Sequence, residues 1–129
     1  MREIKFRAWD KTDKIMLQPY SGCISDGKVF MSCKSGNEFE LMQYTGLKDK
    51  NDKEIYEGDI VKFPLFDNNE VICYLHREVI FHNGMFKIKP IKEGNYGMPR
   101  EEDEVIGNIH QNPEVLTHSE TKVNKKCIN

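Results

Sequence analysis

Apolar and polar residues alternate one by one through much of this chain, which is the period of a strand whose side chains point to opposite faces, and no stretch carries a sustained helical stripe. Residues 3–9 set Ile4, Phe6 and Ala8 on one side and Lys5 and Arg7 on the other, with Trp9 breaking the pattern, so a half-buried strand is expected there. The polar residues 10–14 supply turn chemistry before Ile15-Met16-Leu17, which completes a first hairpin. Asp26-Gly27 suits a two-residue type I′ turn, whose central positions both need positive φ, and it would set Ile24 opposite Val29 and Cys23 opposite Phe30. After a polar break at 34–38, residues 39–44 read as a strand or a short helical turn, and periodicity does not separate the two.

The clearest hairpin is centred on Asn83-Gly84. A two-residue turn there places Phe81 opposite Phe86 and Val79 opposite Ile88, all four on one face, with Ile80 and Lys87 on the other. Upstream, residues 70–75 are rich in β-formers and predict a further strand. Residues 92–103 hold two glycines, Pro99 and a run of charge without apolar periodicity, and predict a mobile loop. Residues 105–109 form a last strand, where Gly107 suggests a bulge or a close backbone approach. Asn112 as cap and Pro113 in the first helical position predict a short helical turn to Leu116, after which residues 117–129 read as a disordered polar tail. Six or seven short strands spaced by turn signals predict a mainly β fold, a small barrel or a sandwich.

Composition narrows the picture. At 129 residues, 38% apolar and 31% charged, the chain suits one domain with a thin core and long polar loops. Its net charge is -2, with +2 in the last thirteen residues and -4 in the body, so no electrostatic footprint for phosphate backbones is present. The alternating N-terminus is unlike a signal peptide and no apolar run is long enough to cross a bilayer, so a cytoplasmic location is expected, without a membrane partner. Cys23, Cys33, Cys73 and Cys127 are spaced widely and irregularly, and reduced thiols are expected.

Three blocks carry a family likeness: Met-Arg-Glu-Ile-Lys-Phe-Arg-Ala-Trp-Asp at 1–10, Tyr-Thr-Gly-Leu-Lys-Asp-Lys-Asn-Asp-Lys-Glu-Ile-Tyr-Glu-Gly-Asp-Ile-Val at 44–61, and Val-Ile-Gly-Asn-Ile-His-Gln-Asn-Pro-Glu-Val-Leu at 105–116. In that order they resemble the YopX family, small proteins found mostly in bacterial phages and prophages. The resemblance implies an SH3-type barrel roll over residues 44–116 preceded by an N-terminal β-hairpin extension over 1–43, together a single domain over 1–116. It implies no biochemical activity and no catalytic residues. The family often has Gly where this chain has Asp52, which an aspartate answers by adopting left-handed geometry less readily. Gly46, Gly58, Asp59, Gly107, Asn108 and Pro113 are the structural signature of these blocks, and turn chemistry explains them better than binding does.

Candidate chemistry adds little. His76 and His82 are six apart with Cys73 close by, without the spacing of a metal motif, and no metal or other cofactor is expected. Glu54, Glu57, Asp59 and His110 offer carboxylates and a base, but turn positions account for Glu57 and Asp59 and His110 ends a strand, so a non-enzymatic protein is expected. Trp9, Tyr20 and Tyr44, with Arg7, Lys48, Lys50 and Lys53, form a possible interaction surface of aromatic rings beside basic loops. The acidic body ranks nucleic acid second as its partner. The expectation is a phage or prophage accessory module that binds another protein or itself as a homo-oligomer through exposed strand edges.

Overall fold

The computed structural model describes residues 3–18, 24–25, 28–29, 36–90, 96–117 and 120–122, with backbone pairing alone for 24–25, 28–29 and 120–122. The chain is mainly β and divides into two compact units, Met1–Gly46 and Leu47–Asn129.

In the first unit, β1 (Phe6–Asp10) is flanked by β2 (Ile15–Leu17) and β5 (Phe39–Lys48), both antiparallel to it. The β1–β2 turn closes because Asp10, only 1% exposed, accepts the N–H groups of Thr12 and Asp13 on Oδ1 at 2.9 Å each and the Asn37 amide on Oδ2 at 2.8 Å. The expected one-sided alternation does not hold in β1: Ala8 is buried as expected, but Arg7 beside it is buried too, and Ile4 is half exposed. Arg7 lies opposite Met42 on the same sheet face, and its Nη2 donates to Met42 Sδ at 3.8 Å. Ile24 does pair with Val29 between β3 (Ile24–Ser25) and β4 (Lys28–Val29), the register of a two-residue turn, while Cys23, Phe30 and the turn itself lie outside the described residues.

Leu47 and Lys48, the end of β5, open the second unit, and a tight turn returns the chain as β6 (Glu54–Tyr56). There follow β7 (Asp59–Asp67), β8 (Glu70–His82), β9 (Met85–Ile88), β10 (Glu104–Asn108), a 3-10 turn (Pro113–Leu116) and β11 (Glu120–Lys122). The sheet runs β10-β7-β8-β11 with β9 also on β8, and it curls as a half-barrel. Its core is Ile55, Val61, Val79, Ile88 and Val105, with Leu47 and Phe63 packed against it.

Residues 70–75 and 78–82 are one strand, because His76 and Arg77 continue the ladder opposite Lys62 and Val61. At its far end β8 serves both edges: its Val79 carbonyl accepts from Gly58 N–H at 2.8 Å and its Glu78 carbonyl from Lys89 N–H at 2.9 Å. Two hairpins meet in this strand. Asn83 (φ 50°) and Gly84 (φ 81°) form the expected turn with the expected register, and Asn68 (φ 50°) with Asn69 (φ 66°) form another that the sequence reading lacks. Pro64 lies in β7 just past Lys62, where the pairing with β10 stops, in keeping with a residue that has no N–H to add to a ladder.

Further corrections concern the C-terminal third. Residues 96–103 are tied down: Ile88 and Gly97 exchange backbone hydrogen bonds at 2.9 and 3.1 Å, and Lys50 N–H donates to the Asp103 carbonyl at 3.0 Å. Asn112 does not cap the 3-10 turn through its side chain; its Oδ1 instead accepts from Asn108 N–H at 3.3 Å. Within the expected polar tail, Glu120–Lys122 pair as β11 with Cys73, Tyr74 and Leu75, since an open strand edge recruits backbone regardless of composition. Cys73, fully buried, is disulfide-bonded, and the other three cysteines lie outside the described residues. The expectation of free thiols fails there because spacing along a chain does not fix distance in a folded sheet.

Candidate interaction surface

The central block is a pair of carboxylate-organised turns. Asp49 is buried and its Oδ1 accepts from Asn51 and Lys53 N–H at 2.9 Å each, while Oδ2 accepts from Val105 N–H at 2.8 Å, so one side chain fastens the turn to β10. Burial pushes the Asp49 carboxyl up, and the hydrogen bonds from Val105, Lys53 and Asn51 with the nearby Lys53 ammonium outweigh it, leaving the pKa below the ordinary value. Asp52 takes the left-handed conformation at φ 66° that Gly would take more readily. The next turn is closed by Asp59, 1% exposed, whose Oδ2 accepts from Tyr56 N–H at 2.8 Å, with Gly58 at φ 87°. Nearby, Asp103 is 1% exposed, receives Arg100 N–H on Oδ2 at 2.9 Å and faces Arg100 Nη2 at 3.6 Å. Burial dominates there and raises its pKa, although the Arg100 contacts pull the other way.

These contacts give the candidate acid–base residues structural work. Glu54 Oε1 accepts from the Tyr56 hydroxyl at 3.3 Å, and His110 N–H donates to Asn108 Oδ1 at 3.1 Å. His76 Nδ1 lies 3.2 Å from the Val115 carbonyl, while His82 stacks on Tyr96 with ring centroids 4.4 Å apart. Among the described residues no three His, Cys, Asp or Glu side chains are grouped to hold a metal ion, and no helix is long and apolar enough to cross a membrane.

The aromatic and basic residues singled out from the sequence fall in both units. Trp9 is half-buried between its strand partners Met16 and Glu40, Tyr44 is 5% exposed with Lys5 Nζ 5.3 Å from its ring centroid, and Tyr20 lies outside the described residues. In the second unit Lys48 and Lys50 are held near Asp52 and Glu104 at 3.7 and 3.6 Å, and Lys53 is exposed beside its hydrogen bond to Asp49. Lys50 and Glu104 also line a groove of about 260 Å³ where Lys62 Nζ stands 4.7 Å from the Tyr74 centroid. Equal numbers of lysines and glutamates line that groove, so it favours neither sign of ligand.

A different surface stands out around β9. Phe81 is 53% exposed although its hairpin neighbours Val79 and Ile88 are buried, and it meets Phe86 edge to face at 5.1 Å. Met85, on the opposite face of the hairpin, is also exposed, as are Tyr96 and Met98 in the segment beside it.

The arrangement of turns at 49–53 and 57–59, with the bulge at Gly107, occupies the blocks that a protein-family comparison also matches: YopX protein, over residues 5–117. The chain belongs to the YopX family. Among solved structures, protein EF1440 from Enterococcus faecalis is similar to this YopX chain, at 28% identity and TM-score 0.57, covering 90% of this chain and 99% of that one. Comparison with curated proteins gives no match. The YopX blocks carry the turns, whereas the exposed Phe81, Met85, Tyr96 and Met98 lie between the second block and the third. Phe81 shares its face with Val79, Phe86 and Ile88 as the register predicts and yet is exposed, because a strand pattern tells which residues share a face, not how far the core extends along it. Tyr96 and Met98 went unnoticed inside a polar segment, where the available signal was only their alternation about Gly97.

Proposed function

We propose that this YopX chain is a non-enzymatic accessory module of phage or prophage type that acts by contacting another protein or a second copy of itself. The carrying observation is the half-exposed Phe81 beside Phe86, at the end of a hairpin whose Val79 and Ile88 on the same face are buried. A ring of this size left in water on a rigid hairpin is a natural anchor for a contact. In this reading the second unit is an SH3-type barrel roll, and the protein works in the cytoplasm of a bacterial host. The family supports the phage setting.

Light scattering across a wide concentration range tests self-association, and Phe81→Ser, at an exposed position, should abolish it without changing the circular-dichroism spectrum. A monomer at every concentration, with backbone amide signals around Phe81 unmoved by host-cell protein fractions, would reject the reading. Salt-sensitive binding of single- or double-stranded nucleic acid would replace it with a nucleic-acid-binding role.

A further inference from the structure

We propose that Cys73 is bonded to Cys127 and that this disulfide is a redox-controlled latch holding β11 on the edge of β8. Cys73 sits in mid-strand, with Leu65 of β7 opposite it on one side and Lys122 of β11 on the other. It is fully buried beside Ile72 and Leu75, and it is disulfide-bonded. Its partner is therefore Cys23, Cys33 or Cys127.

Reach separates the three. Lys122 already lies across from Cys73, and Cys127 follows it by five residues. One reverse turn in those residues, for which Asn124 is suited, returns Cys127 to the Cα separation of about 4–7 Å that a disulfide needs. Cys23 and Cys33 belong to the other compact unit, at least forty residues from Cys73 along the chain. Because the chance of closure falls as the three-halves power of length, a flexible five-residue link brings its ends together about twentyfold more often than a forty-residue one. The latch also acts where a latch has an effect. β11 is three residues long and is added to the outer edge of the sheet, and short edge pairings open at low free-energy cost. A cross-link just beyond such a strand shortens the loop that must close for the pairing to re-form.

Closure consumes an external low-molecular-weight disulfide, RSSR. The Cys127 thiolate attacks it and expels one thiolate of RSH, leaving a mixed disulfide of Cys127 with the RS group; with β11 docked, the Cys73 thiolate attacks the Cys127 sulfur and expels the second. Each protein thiol has then lost one proton and one electron, and RSSR has been reduced to two RSH. Opening is the reverse, driven by excess RSH, and since Cys73 is fully buried the external group exchanges at Cys127 in both directions. In the cytoplasmic setting proposed above a permanent structural disulfide is unusual, and one that opens and closes is the usual kind.

The test is to incubate the full chain in glutathione buffers that run from mostly thiol to mostly disulfide, then digest it without reductant and map the bond by mass spectrometry. The Cys73 and Cys127 peptides should be joined in the disulfide-rich buffer and separate in the thiol-rich one. Hydrogen exchange at Glu120–Lys122 should be about tenfold slower in the first buffer than in the second. Cys73→Ser changes a buried position and can unfold the sheet, so the variant to use is Cys127→Ser, which should keep the wild-type circular-dichroism spectrum and exchange fast at 120–122 in both buffers. A bond from Cys73 to Cys23 or Cys33, no bond in either buffer, or a bond that the thiol-rich buffer leaves intact would overturn the proposal. So would exchange at 120–122 that ignores the buffer in the wild type, or that still slows on oxidation in Cys127→Ser.

Discussion

A methyl group at Gly107 would stand 2.8 Å from both Cβ and Oδ1 of Asn112, closer than packed atoms tolerate. The bulge that shifts the β10–β7 register between Val105 and Gly107 brings the chain this near, and the Asn112 side chain uses the proximity to accept the Asn108 N–H. Gly107→Ala should therefore cost about 1–3 kcal/mol in urea unfolding. Because the clash is with one side chain, adding Asn112→Gly should recover part of the loss, and a double mutant no better than Gly107→Ala would show that the strain lies in the backbone. Asp49 is the complementary case, a side chain whose three backbone hydrogen bonds hold two sequence-distant segments.

Among elements, hairpins followed most directly from the sequence. Asn83-Gly84 announced both its turn and its register, because only one pairing gathers Val79, Phe81, Phe86 and Ile88 on one face. Asn68-Asn69 makes the same kind of turn with weaker chemistry, since asparagine enters the left-handed region at some cost, and it is hidden between two β-rich runs. Asn69→Gly should raise the unfolding midpoint by the equivalent of about 0.5 kcal/mol, and Asn69→Val should lower it by about 1–2 kcal/mol. Strand length was less legible: His76 and Arg77 interrupt the β-rich pattern, and only their cross-strand partners show that β8 continues through them. The candidate surface was hardest to read, because exposure at Phe81 or Tyr96 depends on which elements stop short, a property of the assembled sheet rather than of local composition.

For the molecule as a whole, two buried carboxylates set opposing pH dependences. Asp49 has a folded-state pKa below its unfolded one, so its stabilisation is complete above the unfolded value of about 3.9 and is lost as pH falls through the folded value. Asp103 has a folded-state pKa above its unfolded one, so it lowers stability at neutral pH, and that penalty is relieved as pH falls through the raised value toward about 3.9. Asp103→Asn keeps an oxygen for Arg100 N–H and should flatten the rise in melting temperature on mild acidification. Asp49→Asn should lower the melting temperature at pH 7 and make the loss below pH 4 shallower. Melts at a series of pH values check both, and parallel curves for wild type and Asp103→Asn would contradict the assignment.

Pro64 has a bearing on the crowded interior in which such a chain is made. Beyond Lys62, β7 has Leu65 and Phe66 exposed and, among the described residues, no strand on its outer side, the kind of border along which nascent copies zip together into insoluble deposits. An imino acid at that border interrupts the zip, so one ring closure protects every neighbouring molecule as much as its own.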